Sequence, residues 1–223
     1  PAPRTPVCHF NIGDTQGFLV ELGSVIFLVF RGTQVAVDWS WTDIKRNMLL
    51  GLVEWEGPGL VHEGYLGGLL IARPEVNYCL GQMDDSLPLI ITGHSLGGST
   101  ATIGSMFWPQ AEATYTFGAP KVGNREFVKG LLSIYRFVYA NDIAPKYPLG
   151  WVTSYVQGGQ LWRISRKGRV YRGRKRLSDG IPIPVVSGVL DHSDSNYLRG
   201  MLGTTSIAFR APRHSKRRRA FFG

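Results

Sequence analysis

No apolar run in this chain approaches the roughly eighteen residues that a membrane-spanning helix requires. Behind Pro1 there is no charged segment followed by an apolar stretch, so no export signal is read. Cysteine is nearly absent: Cys8 and Cys79 are the whole complement. Two residues make no disulfide framework, and they read equally as one bridge or as two buried thiols. Histidine is scarce too, with five in all. They lack the i,i+4 or short-loop spacing with acids that a metal site needs, so no metal site is expected, and no cofactor is expected either. Acidic residues are in deficit, 16 against 25 Lys and Arg, which leaves a net charge of +9. What is present is core material. Hydrophobic residues make up 43% and aromatics 12%, a globular balance that excludes a disordered chain. With 223 residues, one domain over 1–223 is expected.

The positive charge is concentrated. Arg163, Arg166, Lys167, Arg169, Arg172, Arg174, Lys175 and Arg176 crowd one segment, and Arg213, His214, Lys216, Arg217, Arg218 and Arg219 crowd a basic tail over 211–223. A solvated hairpin face and a frayed terminus explain both. The functional alternatives are an anionic lipid surface or nucleic acid. Only Trp162 and Tyr171 stand near the basic segment, which disfavours a base-stacking platform and hence nucleic acid.

Along the chain, residues 1–17 show little periodicity and are expected to wrap the surface. Phe18–Glu21 and Val25–Phe30 around Gly23-Ser24 read as a hairpin entering a buried strand. Trp39 and Trp41 lie in a stretch that can open a short helix. Val61–Met83 reads as a helix bent or broken at Pro74. Strands follow at the apolar run before Gly93, at Ala113–Phe117 and at Tyr135–Tyr139, separated by helical stretches. Gln160–Ser165 and Arg169–Gly173 read as an antiparallel hairpin about Lys167-Gly168. A Pro-rich loop then leads to His192. This alternation argues for a mainly parallel central sheet flanked by helices, with an antiparallel hairpin near its C-terminal edge, and function at the strands' carboxyl ends.

One stretch carries chemistry. Leu87–Ile91 run apolar into Thr92-Gly93-His94-Ser95-Leu96-Gly97-Gly98, followed by small residues and an apolar segment through Trp108. That is strand, sharp turn, helix, the form of a G-x-S-x-G nucleophile elbow. A serine there needs a base, and the base needs an orienting carboxylate. His9 and His214 read as solvated, His62 as a structural group at a helix start, and His94 as pointing away from its neighbour Ser95. His192 remains. Ser95, Asp142 and His192 stand in the order nucleophile, acid, base. Asp191 and Asp194 compete as the acid. Asp191 adjoins the histidine, whereas Asp142 follows a predicted strand end, where a fixed carboxylate belongs.

Phe30-Arg31-Gly32-Thr33, Val61-His62-Glu63-Gly64-Tyr65, the elbow, Phe117-Gly118-Ala119-Pro120-Lys121-Val122-Gly123-Asn124, Asn141-Asp142-Ile143-Ala144-Pro145, and Leu190-Asp191-His192 with Tyr197 occur in that order. Together they make the chain resemble the class 3, fungal-type lipase family of the α/β-hydrolase fold, which includes feruloyl esterases and some phospholipases. The resemblance covers roughly residues 18–198. It implies Ser95, Asp142 and His192 as the triad and backbone N–H groups of Thr33 and Leu96 as the oxyanion hole. It also implies a mobile lid near 34–50 that holds Trp39 and Trp41. The activity implied is hydrolysis of acylglycerol esters without a cofactor, with secretion the favoured compartment. A phospholipid or feruloyl ester is the alternative on the same site. A non-catalytic module binding anionic surfaces is the alternative from another class. The basic hairpin and tail depart from the family pattern and leave the choice of ester open.

Overall fold

The computed structural model of the chain describes residues 7–32, 51–148, 154–173 and 185–202. The described chain begins with an antiparallel meander, β1 (Val7–Ile12), β2 (Thr15–Leu22) and β3 (Val25–Phe30). The first of these corrects the expectation of an irregular N-terminal wrap. In β1, Phe10 is buried while Val7, His9 and Asn11 are exposed, a period-2 strand with one face on the core. A two-stranded ribbon follows, β4 (Leu52–Val53) against β5 (Val61–His62), and leads into α1 (Glu63–Leu80). The helix is shorter than expected because Val61 and His62 pair as strand. It passes through Pro74 without ending there.

The elbow strand β6 (Leu89–His94) feeds α2 (Leu96–Phe107). Next come β7 (Ala113–Phe117), the short α3 (Arg125–Lys129) and β8 (Ile134–Tyr139). The expected basic hairpin is present as β9 (Gln160–Ile164) paired antiparallel with β10 (Val170–Arg172). The chain was expected to reach His192 by loop alone. Instead that residue lies between two helices, α4 (Val185–Leu190) and α5 (Asp194–Leu202).

Eight strands form one sheet in the order β1-β2-β3-β6-β7-β8-β9-β10. The five from β3 to β9 are mutually parallel, and the antiparallel pairs sit at the two edges. This is the mainly parallel sheet, with an antiparallel hairpin at its edge, that the sequence predicts. Its central strands read as continuous apolar runs because both of their faces are packed. On one face Leu28 and Ile91 meet Leu69 of α1 and Ile103 of α2, all without solvent exposure. Each such side chain contributes about 1.5–3 kcal/mol by burial. On the other face Tyr139 and Ile164 pack against Tyr197 and Gly200 of α5. Both cysteines are consumed in one bond, Cys8–Cys79, which ties β1 to the last turn of α1 with Cα atoms 5.6 Å apart. That decides between the two readings of the pair. Joining residues 71 apart in sequence removes roughly 4 kcal/mol of unfolded-chain entropy in the loop-closure model.

Candidate active site

The turn between β6 and α2 is built from its small residues. Ser95 sits at φ 55°, ψ −124° as the N-cap of α2, a conformation that costs a non-glycine residue about 1–3 kcal/mol. It turns the side chain out of the strand while Ser95 N–H donates to Phe117 O at 2.9 Å. The tightness demands glycine on both sides. A Cβ on Gly93 would lie 2.3 Å from the Gly97 carbonyl, and one on Gly97 would lie 2.2 Å from Phe30 O. Leu96 is the first residue of α2, so its N–H belongs to the donors a helix cannot satisfy internally, at the positive end of its dipole.

Three segments deliver the partners. His192 Nε2 lies 2.7 Å from Ser95 Oγ, and His192 Nδ1 lies 3.0 Å from both oxygens of Asp142. A carboxylate facing Nδ1 places the ring proton there and leaves Nε2 to accept from the hydroxyl. Asp142 follows the end of β8, and Ser95, Asp142 and His192 are all buried. The Asp142 carboxylate also accepts from Ala144 N–H at 2.9 Å and from the Tyr197 hydroxyl at 2.5 Å. Tyr197 in turn accepts Tyr139 N–H at 3.0 Å. Burial first, and then the Asp142 charge, push the Tyr197 phenol well above its ordinary range, so it stays a donor. These buried polar groups are satisfied by one another, and hydrogen bonds to a buried charge are strong.

The competing acid has a different task. Asp191 Oδ2 accepts Asn141 N–H at 3.1 Å and Arg166 Nη2 at 2.8 Å. One buried carboxylate beside His192 therefore holds the residue beside Asp142, and a cation of the basic hairpin neutralises it. Asp194 opens α5 and stands outside the relay. His94 Nε2–H donates to the His192 carbonyl at 2.9 Å, with the two rings stacked at 4.8 Å. Burial, then the neighbouring His192, lower its pKa to about 4, so it is neutral at ordinary pH. His62 caps α1, its Nδ1 accepting Tyr65 N–H at 3.3 Å, the structural role read for it. His9 is exposed on β1.

Gly118, at φ 62°, closes the site from below. A Cβ there would lie 2.6 Å from Asp142 Oδ2, 3.0 Å from Tyr197 Oη and 3.1 Å from His192 Cε1. Sequence reasoning missed its role, and that of Tyr197. The signal for the glycine was its place at the carboxyl end of β7, beside the strand of the nucleophile. Thr33, expected in the oxyanion hole, Trp39 and Trp41, expected in a lid, and the tail over 211–223 lie outside the described residues.

The family model described as Lipase (class 3) matches residues 27–151, more than half of the chain. Secreted mono- and diacylglycerol lipase A of Penicillium cyclopium is 28% identical over 153 residues, which cover 62% of this chain and 48% of that protein. Toxin TseL of Vibrio cholerae is 37% identical over 94 residues, covering 39% of this chain and 15% of the toxin. The chain thus spans about half or less of the length of these relatives. Among solved structures, the lipase from Rhizopus microsporus var. chinensis superposes with a TM-score of 0.66 at 25% identity, over 85% of this chain and 73% of that one. Sequence match and fold agree, and the chain belongs to the class 3 lipase family.

Proposed function

We propose that this protein is a secreted carboxylic ester hydrolase that cleaves acylglycerols through a serine acyl-enzyme, with Ser95, His192 and Asp142 as its triad. The observation that carries the reading is the continuous relay at 2.7 and 3.0 Å on a buried elbow. Ser95 Oγ attacks the ester carbonyl while His192 Nε2 takes its proton, and Asp142 holds the tautomer and stabilises the imidazolium. The tetrahedral oxyanion is held by the N–H groups of Leu96 and Thr33, each such donor contributing about 3 kcal/mol to the lowered barrier. His192 then gives the proton to the departing alcohol oxygen. Water, deprotonated by the same nitrogen, attacks the acyl-enzyme and releases the fatty acid and Ser95. Trp39 and Trp41 are assigned to the apolar inner face of a lid.

The relative from Penicillium is named for mono- and diacylglycerols and for secretion, which supports the substrate class and the compartment. The Cys8–Cys79 bond supports the compartment independently, since such bonds persist in oxidising surroundings. Peripheral contact with anionic lipid is part of the same reading, on the strength of the basic hairpin.

Ser95→Ala tests it. The variant should fold as wild type, by circular dichroism and thermal unfolding. Its turnover of p-nitrophenyl butyrate and emulsified triolein should drop by several orders of magnitude, because triad members act as a unit. Hydrolysis near the wild-type rate by a folded variant would overturn the mechanism and favour a binding module.

A further inference from the structure

The basic hairpin, which the family pattern left unexplained, is tied to the residue that precedes His192. Arg166 stands in the turn between β9 and β10, and its bond to Asp191 clamps that turn against the loop carrying His192. Lys167, Arg169 and Arg172 are exposed around the same turn and strand, and no acidic residue interrupts 163–173. The residue before Asp191 is Leu190, 66% exposed at the end of α4. Beyond His192, α5 packs its Gly200 on Ile164 of β9. That helix presents Leu198 and Leu202, 61% and 69% exposed and four residues apart, which places them on one stripe. Arg199 lies between them, and Asp194 at the helix start is the acid of this region besides the paired Asp191.

Single exposed leucines need no explanation, but three on adjoining elements beside a cluster of unopposed cations do. The combination has a specific complement. Leucines gain by entering the acyl boundary of a bilayer, while Lys and Arg beside them meet its phosphates. Tyr171 is the exposed aromatic of the hairpin, too little for stacking on nucleobases.

We propose that Leu190, Leu198 and Leu202, together with Lys167, Arg169 and Arg172, form a docking surface for anionic lipid bilayers that sets the His192 side of the active site against the membrane. The proposal deepens the lipid-ester reading by naming its interface. Docking and hydrolysis nevertheless report separately. Wild-type protein is cosedimented with vesicles of phosphatidylglycerol and phosphatidylcholine, and with phosphatidylcholine vesicles alone, at rising salt. Binding should favour the anionic vesicles and weaken as the Debye length shrinks below roughly 8 Å. Lys167→Gln/Arg169→Gln/Arg172→Gln should bind the anionic vesicles on the order of 100-fold more weakly, at about fivefold per cation. Leu190→Ser/Leu198→Ser/Leu202→Ser should lose on the order of tenfold or more, and on neutral vesicles too. Both variants should hydrolyse p-nitrophenyl butyrate, a soluble monomer, at the wild-type rate. Equal affinity of wild type for the two vesicle types at low salt would overturn the proposal. So would wild-type vesicle binding by either variant, or transfer of the protein from vesicles to competing double-stranded DNA. Absent butyrate hydrolysis in the wild type would instead count against the hydrolase reading and leave the vesicle result standing.

Discussion

Removing the Asp191 carboxylate should weaken the proposed activity without touching Ser95, Asp142 or His192. In Asp191→Ala, Asn141 N–H loses the acceptor it reaches at 3.1 Å in a partly buried loop. A donor stranded in that way costs about 1–3 kcal/mol. Arg166 also loses its partner, but its side chain is 58% exposed, so the broken pair adds at most about 1 kcal/mol. The expected loss of stability is therefore about 1–4 kcal/mol. Asp191→Asn keeps an oxygen for Asn141 N–H and forfeits only the charge, so its loss should stay near 1 kcal/mol. Activity should follow the same order. Asn141 precedes Asp142, and Asp191 precedes His192, so loosening the strap lets the 3.0 Å contact between acid and base wander. A misplacement of about 1 Å in a catalytic contact costs on the order of 10²-fold. Urea unfolding gives the stabilities, and turnover of p-nitrophenyl butyrate gives kcat. By contrast, Asp142→Asn should cost on the order of 10⁴ in kcat, by analogy with a triad of known behaviour. If Asp191→Ala unfolded within about 0.5 kcal/mol of wild type and turned over within a factor of two, the strap would carry nothing. If Asp191→Asn were more damaging to kcat than Asp142→Asn, the acid would be misassigned.

Tyr197→Phe removes a donor to Asp142 and strands Tyr139 N–H, for a loss of roughly 3 kcal/mol. Thermal unfolding should begin about 6–12 °C lower, with kcat reduced and KM kept, and a shift under about 2 °C would contradict the burial argument. His94, whose pKa falls from 6.5 to about 4 on folding, makes the unfolded chain the stronger proton acceptor between those values. Stability should therefore be complete above pH 6.5 and decline toward pH 4, by at most about 3 kcal/mol from this group. His94→Gln should flatten that part of the pH profile and, through its amide N–H, keep the bond to His192. An unchanged slope in the variant would assign the titration elsewhere. Cys8→Ser/Cys79→Ser should unfold with roughly 4 kcal/mol less stability in urea, and an unchanged midpoint would show that the bond constrains nothing in the unfolded chain.

The sheet was legible where strands are buried on both faces. Val25–Phe30 and Ala113–Phe117 match their predicted bounds, because continuous β-branched and aromatic runs bounded by glycine leave little alternative. The elbow turn and the strand-end place of Asp142 were legible for a related reason, since a sharp turn and a fixed carboxylate need particular residue types there, whereas His192 was reached by elimination and by its order after Ser95 and Asp142. β1 escaped because Cys8, Phe10 and Ile12 make a short alternation behind three prolines, weaker than the loop signal beside it. The helices around His192 escaped because Gly188 interrupts one and polar residues are frequent in the other, and the second, α5, packs against β8 and β9. The tasks of Asp191 and Tyr197 were hidden for a different reason. Each depends on partners that are remote in sequence, Arg166 and Asn141 for one and Asp142 and Tyr139 for the other. Local pattern carries no record of such pairings. The same distance kept the pairing of Cys8 with Cys79 open.

That sulfur bridge also changes what a protease can do to the molecule. Every peptide bond between Cys8 and Cys79 lies within a closed covalent ring, and the ring takes in most of β1, all of β2 to β5, most of α1 and the whole stretch 33–50. A single cut anywhere in it produces two chain ends but no separate fragments. The clipped protein keeps its full mass on a non-reducing gel and falls into two pieces only when a thiol is added. Ser95, Asp142 and His192 all lie beyond Cys79, on the uncut side of any such nick. After a single cut, the part of the molecule that precedes Cys79 stays leashed to the part that carries Ser95, Asp142 and His192.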